Sequence, residues 1–238
     1  MNAGIDESEW HLCENVEELI TFLQEQVEDK ESSVRISAVL GLLLVSLLSS
    51  EDYYEKLVTY MKSLLILDDI YVRGSAALCI GVLGTRLEDP VPFIDLLKLL
   101  LFDEARFVKR NASVGLAVIA SSTAPRERRN QLIEELFSSS YWYFRIGGAL
   151  SLGFHSEDTD LAAIIKTLKP LLNDSDIDVR ISAVYALGFI AKKYGFIEEL
   201  MPYFEKCLYD YDAAVIQSAK VVLNLITFPT EDEDYPNL

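Results

Sequence analysis

Covalent or metal chemistry needs nucleophiles, bases and ligands at usable spacing, and this sequence offers few. Its histidines are His11 and His155, and its cysteines are Cys13, Cys79 and Cys207. They are scattered, and neither histidine stands at ligand spacing from a cysteine, as a tetrahedral metal site requires. There is no Gly-x-Ser-x-Gly elbow, no phosphate-cradling loop and no Gly-x-Gly-x-x-Gly turn. Carboxylates abound, 38 in all, but abundance at this net charge does not single out an acid–base pair. The expectation is a chain that is not an enzyme and takes no cofactor, metal or small-molecule substrate. Three cysteines without paired spacing read as small buried hydrophobes in a reduced compartment, so an intracellular setting, cytoplasmic and/or nuclear, is expected.

Two local features are candidates for recognition rather than catalysis. The first is the run Tyr141-Trp142-Tyr143-Phe144, with Gly147-Gly148 just after it. The second is a basic island: Arg106, Lys109, Arg110, Arg126, Arg128 and Arg129 stand against one acid, Glu127. Elsewhere acids dominate. The formal charge is −17, which repels phosphate backbones and argues against nucleic acid as a partner. The longest apolar run, residues 38–48, is far shorter than the roughly 18 residues needed to cross a bilayer, so no membrane partner is expected either. Protein partners remain, either a large assembly or basic segments drawn to the acidic surface.

The elements that must position these residues repeat. VRISAVLGLLL from Val34, VRGSAALCIGV from Val72, VKRNASVGLAV from Val108, FRIGGALSLGF from Phe144, VRISAVYALGF from Val179 and VIQSAKVVLNL from Val215 align, with first residues 38, 36, 36, 35 and 36 positions apart. The first column is always apolar. The second is Arg35, Arg73, Lys109, Arg145 and Arg180, broken by Ile216. The fifth is Ala38, Ala76, Ala112, Gly148, Ala183 and Ala219, and the ninth is Leu42, Ile80, Leu116, Leu152, Leu187 and Leu223. Columns four apart share one helix face, and a tiny residue on an apolar face admits a close neighbour. Each segment therefore reads as the buried second helix of a pair. More amphipathic first helices precede them at about 16–27, 54–67, 91–102, 126–137, 161–172 and 197–208. Asp68 and Asp69, Asp174 and Asp176, and Asp210 and Asp212 precede second helices as capping acids. No stretch alternates apolar and polar residues as a strand does.

These columns resemble the HEAT-repeat superfamily, with DSDIDVRISAVYALGFIAKK from Asp174 as the strongest match. The short unit and the glycines of Ile80-Gly81, Leu152-Gly153 and Leu187-Gly188 are similar to the proteasome/cyclosome variant of the repeat, found in scaffold subunits of the proteasome regulatory particle. The resemblance implies an all-α, right-handed α-solenoid of six helical pairs. The expected organisation is a polar segment at 1–14, repeats at about 15–49, 52–85, 90–121, 124–155, 158–194 and 196–228, and an acidic tail at 229–238. It also implies a non-catalytic scaffold or adaptor in a larger assembly. The alternatives are an acidic transport receptor for basic cargo and, more remotely, a HEAT-like enzyme.

On this alignment the aromatic run divides. Phe144 takes the first column and is expected in the core, its size compensated by Gly147 and Gly148. Trp142 falls with Ile70 and Ile177 and is expected to be partly buried, while Tyr141 replaces the capping acid of Asp69, Asp176 and Asp212. Tyr141, Trp142, Arg110, Arg126, Arg128 and Arg129 are therefore the candidate partner contacts.

Overall fold

The structure, a computed structural model, describes residues 16–122, 126–154 and 161–227; His11, Cys13, His155 and the acidic tail lie outside them. The described residues form twelve α-helices and no strand. They fall into six pairs: α1 (Val16–Gln26) with α2 (Ser32–Leu48), α3 (Glu51–Leu64) with α4 (Ile70–Gly84), α5 (Val91–Leu100) with α6 (Arg106–Ser122), α7 (Arg126–Ser138) with α8 (Trp142–Phe154), α9 (Leu161–Leu168) with α10 (Ile177–Tyr194), and α11 (Ile197–Cys207) with α12 (Ala213–Thr227). The chain is an all-α solenoid. Helix α9 gives way to a 3-10 segment at Lys169–Asn173, because Pro170 supplies no N–H and its ring crowds the preceding turn. Helix α3 begins at Glu51, earlier than the periodicity suggests, with Glu51 and Asp52 in its first turn where the helix dipole favours acids.

Consecutive second helices pack directly on one another, whereas no pair of first helices makes a comparable contact. The stack therefore bends with its second helices on the inside. Their seam is built from small residues. A Cβ placed on Gly81 would lie 2.2 Å from the Cα of Gly115, and one on Gly153 would lie 2.6 Å from the Cα of Ala186. The tiny column, Ala38, Ala76, Ala112, Gly148, Ala183 and Ala219, is buried throughout. Cys79 sits in this core, where burial pushes its thiol up to about 12 and leaves it unreactive.

The arginine column has a physical purpose: each guanidinium bridges two repeats. Arg73 donates from Nε and Nη2 to Asp103 at 2.7 and 3.1 Å, Arg145 to Asp174 at 2.9 and 2.8 Å, and Arg180 to Asp210 at 2.9 and 3.0 Å. Arg35 Nε lies 2.7 Å from Asp69. The remaining guanidinium nitrogen, Nη1, turns back to carbonyls of its own repeat's turn, those of Asp29, Leu67, Ser140 and Asp174. Asp174 and Asp210 are thus rungs of this ladder rather than helix caps. The capping is done by Asp69, which accepts from the N–H groups of Tyr71 and Val72, and by Asp176, which accepts from those of Asp178 and Val179. One rung is missing. In the third repeat Lys109 replaces arginine, and the facing turn carries Ser139 where the fifth and sixth repeats carry Asp174 and Asp210.

Burial works against ionisation of Asp103 and Asp174. The hydrogen bonds from Arg73 and Arg145, and from the backbone N–H groups of Ala105 and Asp176, outweigh it and hold both carboxyls below their usual range. A carboxyl depressed in the folded state stabilises above its unfolded pKa, about 3.9, and that contribution is lost as pH falls through the lower folded value. The stability gap between wild type and an Asp103→Asn/Asp174→Asn variant, followed by thermal melts, should be full above about pH 4–5 and close steadily below it. Arg180, only 2% exposed, should be the costliest rung. Arg180→Ala strands the Asp210 carboxylate and should lower unfolding free energy by about 3–5 kcal/mol in a denaturant titration. Two glycines should respond oppositely to alanine. Gly81→Ala should destabilise despite a helix-propensity gain of about 1 kcal/mol, because it forces backbone apart. Gly41→Ala meets only the flexible Leu23 side chain and should be neutral or stabilising in the same melts.

Candidate protein-binding groove

The second helices are apolar on more than their buried face. At about 3.6 residues per turn, the seventh and eleventh columns lie roughly opposite the tiny column. They hold Leu40, Leu78, Val114, Leu150, Tyr185 and Val221, then Leu44, Val82, Val118, Phe154, Phe189 and Leu225. No acid occupies either column in any repeat. This row faces the inside of the bend and is left partly open: Leu44 and Leu225 are each 59% exposed, Phe189 39% and Tyr185 37%.

Over the last four repeats the row deepens into a groove of about 780 Å³. Val114 of α6, Ile146, Leu150 and Phe154 of α8, Ile181, Tyr185 and Phe189 of α10, and Val222 and Leu225 of α12 line it. Phe154 and Phe189 meet edge to face, centroids 5.7 Å apart, and form part of its wall. The charged groups on the lining are Arg110, Asp178 and Lys192.

One rim is braced by a contact that skips a repeat. From the start of α6, Arg106 donates to Asp178 at 2.7 and 2.9 Å and to both Asp176 oxygens at 2.9 Å, reaching the fifth repeat across the fourth. Its guanidinium lies 3.9 Å from the centroid of the Trp142 ring beneath it. Burial works against the charge, but these carboxylates outweigh it and raise the Arg106 pKa above its usual value. Arg110 approaches the same Asp178 more loosely, at 3.8 Å, with its side chain 41% exposed.

The sequence candidates separate in space. Arg110 belongs to the groove. Trp142 is half-buried under Arg106, and Tyr141 is exposed on the turn edge, stacked on Tyr143 with centroids 5.4 Å apart. Arg126, Arg128 and Arg129 fall in the first turn of α7, but their side chains lie outside the described residues. Phe144 departs from expectation: it is half-buried, and Tyr143 is the more deeply buried ring, at 6% exposure. The space beside Gly147 and Gly148 is not filled by Phe144. A Cβ there would meet Ser113 of α6 or the backbone of Phe137 in α7, each at 3.0 Å, so the glycines serve close helix approach. Within the basic island, Arg106 is bound to two acids and Lys109 lies 5.4 Å from the Tyr143 ring centroid.

The groove itself was missed by pattern reading, although its signal is periodic. The seventh and eleventh columns are as consistently apolar as the buried ones. An apolar residue at a repeating position ordinarily signals core, and only the bend of the stack turns these two columns toward solvent.

The HEAT repeat family model matches residues 164–194. A search of curated proteins finds no match. Among solved structures, an engineered protein is 21% identical over 89% of this chain and 96% of its own, with a TM-score of 0.41. A designed armadillo repeat protein in complex with a (KR)4 peptide is 18% identical over 88% of this chain and 100% of its own, with a TM-score of 0.43. The helix pairs of this chain, rather than these likenesses, establish its fold. Residues 164–194, which match the HEAT repeat model, form one of the six helical pairs of an all-α solenoid.

Proposed function

We propose that this chain is a non-catalytic scaffold that holds a protein partner on the inner face of its solenoid. One observation carries the reading: two in-phase apolar columns of the second helices remain partly open to solvent and line a groove. Contiguous apolar surface of this kind on a repeat protein is a recognition surface, since leaving it bare costs solubility. Among the described residues no group of histidine, cysteine or carboxylate side chains is arranged to hold a metal ion, and no helix is long and apolar enough to cross a membrane. The exposed Tyr141 and Phe102 on the turn edge offer a smaller secondary contact. The finer form of the proposal is a seat in a large assembly of the proteasome-regulatory-particle kind. What supports it is the short unit and the glycines at helix seams, Gly81 and Gly153 above all.

A second reading has its own support. The charge of −17 suits a receptor for basic cargo, and the acids concentrate on first helices and turns, as with Glu17, Glu18, Glu198 and Glu199. Such cargo would ride on the first-helix face, not in the groove. The two readings part experimentally. Phe189→Glu/Leu225→Glu changes two exposed side chains and should leave the thermal melt within a few degrees while abolishing partner co-purification. Partners retained by this variant but released from wild type by moderate salt would overturn the groove reading in favour of basic cargo.

A further inference from the structure

Resting on the groove as the binding face, we propose that its occupant is an amphipathic α-helix of about five turns, whose apolar stripe is bordered by acidic residues, at least one placed to meet Arg110. Backbone chemistry gives the first step. An extended segment laid in an apolar groove leaves main-chain N–H and C=O groups without partners, which costs free energy at every residue. Among the lining residues Asn224 is the single carboxamide, so no ladder of amide side chains is present to serve such a backbone. A helix satisfies its own backbone and presents side chains alone.

Dimensions give the second step. The groove crosses four second helices, α6 to α12, so at spacings of roughly 8–10 Å it runs about 25–30 Å, the length of some 16–20 helical residues. Large side chains spaced one turn apart on the partner would then settle between Leu150, Tyr185, Phe189 and Leu225.

Charge gives the third. The third column of the repeat joins the seventh and eleventh on this face, and it holds Ile36, Gly74, Arg110, Ile146, Ile181 and Gln217. Across all three columns and all six repeats there is no acid, on a chain with 38 of them, and the one charged residue is Arg110. Asp178, the acid on the groove lining, is already held by Arg106. The free chain thus seats carboxylates of its own against this rim, and Arg110, 3.8 Å from the nearest of them, keeps donors for one supplied in trans. Lys192 adds positive charge at the opposite rim. Among the described residues, this acid-free apolar face with Arg110 at its rim therefore spares an acidic helix the repulsion of the acid-rich outer surface, which favours docking here.

The test is a peptide-display selection on the full chain from an unbiased library of about 18 residues, with the Phe189→Glu/Leu225→Glu variant as counter-selection, followed by synthetic peptides read by fluorescence anisotropy and circular dichroism. Groove-dependent binders should share an apolar stripe of helical period with Glu or Asp beside it, and should gain helicity on binding. Exchanging those acids for lysine should weaken binding to wild type about tenfold or more, and Arg110→Gln should remove most of that difference. Groove-dependent binders that are basic, uncharged or proline-broken would overturn this inference and leave the scaffold reading standing. A selection that yields no groove-dependent binder would overturn both.

Discussion

Consecutive second helices meet at backbone distance, and the shape of the molecule depends on that contact. Gly81 against Gly115 and Gly153 against Ala186 leave no room for a side chain between them. The first helices, carrying bulkier stripes and charged outer faces, have no comparable contact with one another. A stack tight on one side and loose on the other must bend. The bend turns the seventh and eleventh columns inward and gathers four helices around one concavity. A repeat protein with the same core and larger seam residues would be straighter, and its apolar columns would lie on a flat face with no groove.

The arginine ladder works with this packing rather than alongside it. A small-residue seam is slippery, because apolar contacts between smooth faces fix distance better than register. A bidentate guanidinium fixes register, since its paired donors match a carboxylate in one geometry. Each rung therefore locks the offset of one repeat on the next, with the remaining nitrogen tied to its own turn. Such half-buried pairs contribute little net stability over an apolar substitute, but an arginine whose acid is removed is costly.

Much of the fold was legible because one period governs everything. The apolar, arginine and tiny columns each have a single structural reason, so second helices could be placed from alignment alone. Legibility failed where a residue's role depends on the path of the stack. Asp174 and Asp176 look equivalent before a helix, yet one faces the preceding arginine and the other its own helix. Phe144 sits in a core column, yet its register leaves it half-buried while Tyr143 turns in. Arg106 lies outside the aligned columns, and its partners are about 70 residues away in sequence, so no local rule could join them. The groove was hidden in the same way, since its columns differ from core columns only in which side of the bend they face.

The missing rung and the groove then become one feature. With Lys109 in the arginine column and Ser139 in the acid position of the next turn, the ladder lacks the arginine–carboxylate rung between the third repeat and the fourth. The register is recovered by Arg106, which lies over Trp142 and binds the fifth repeat directly. This bridge ties the start of α6 to the start of α10 across α8. Asp178 is both the anchor of the bridge and part of the groove lining. The departure from the repeat pattern at Arg106 and Lys109 therefore marks the place where a uniform solenoid has been made to hold one particular shape.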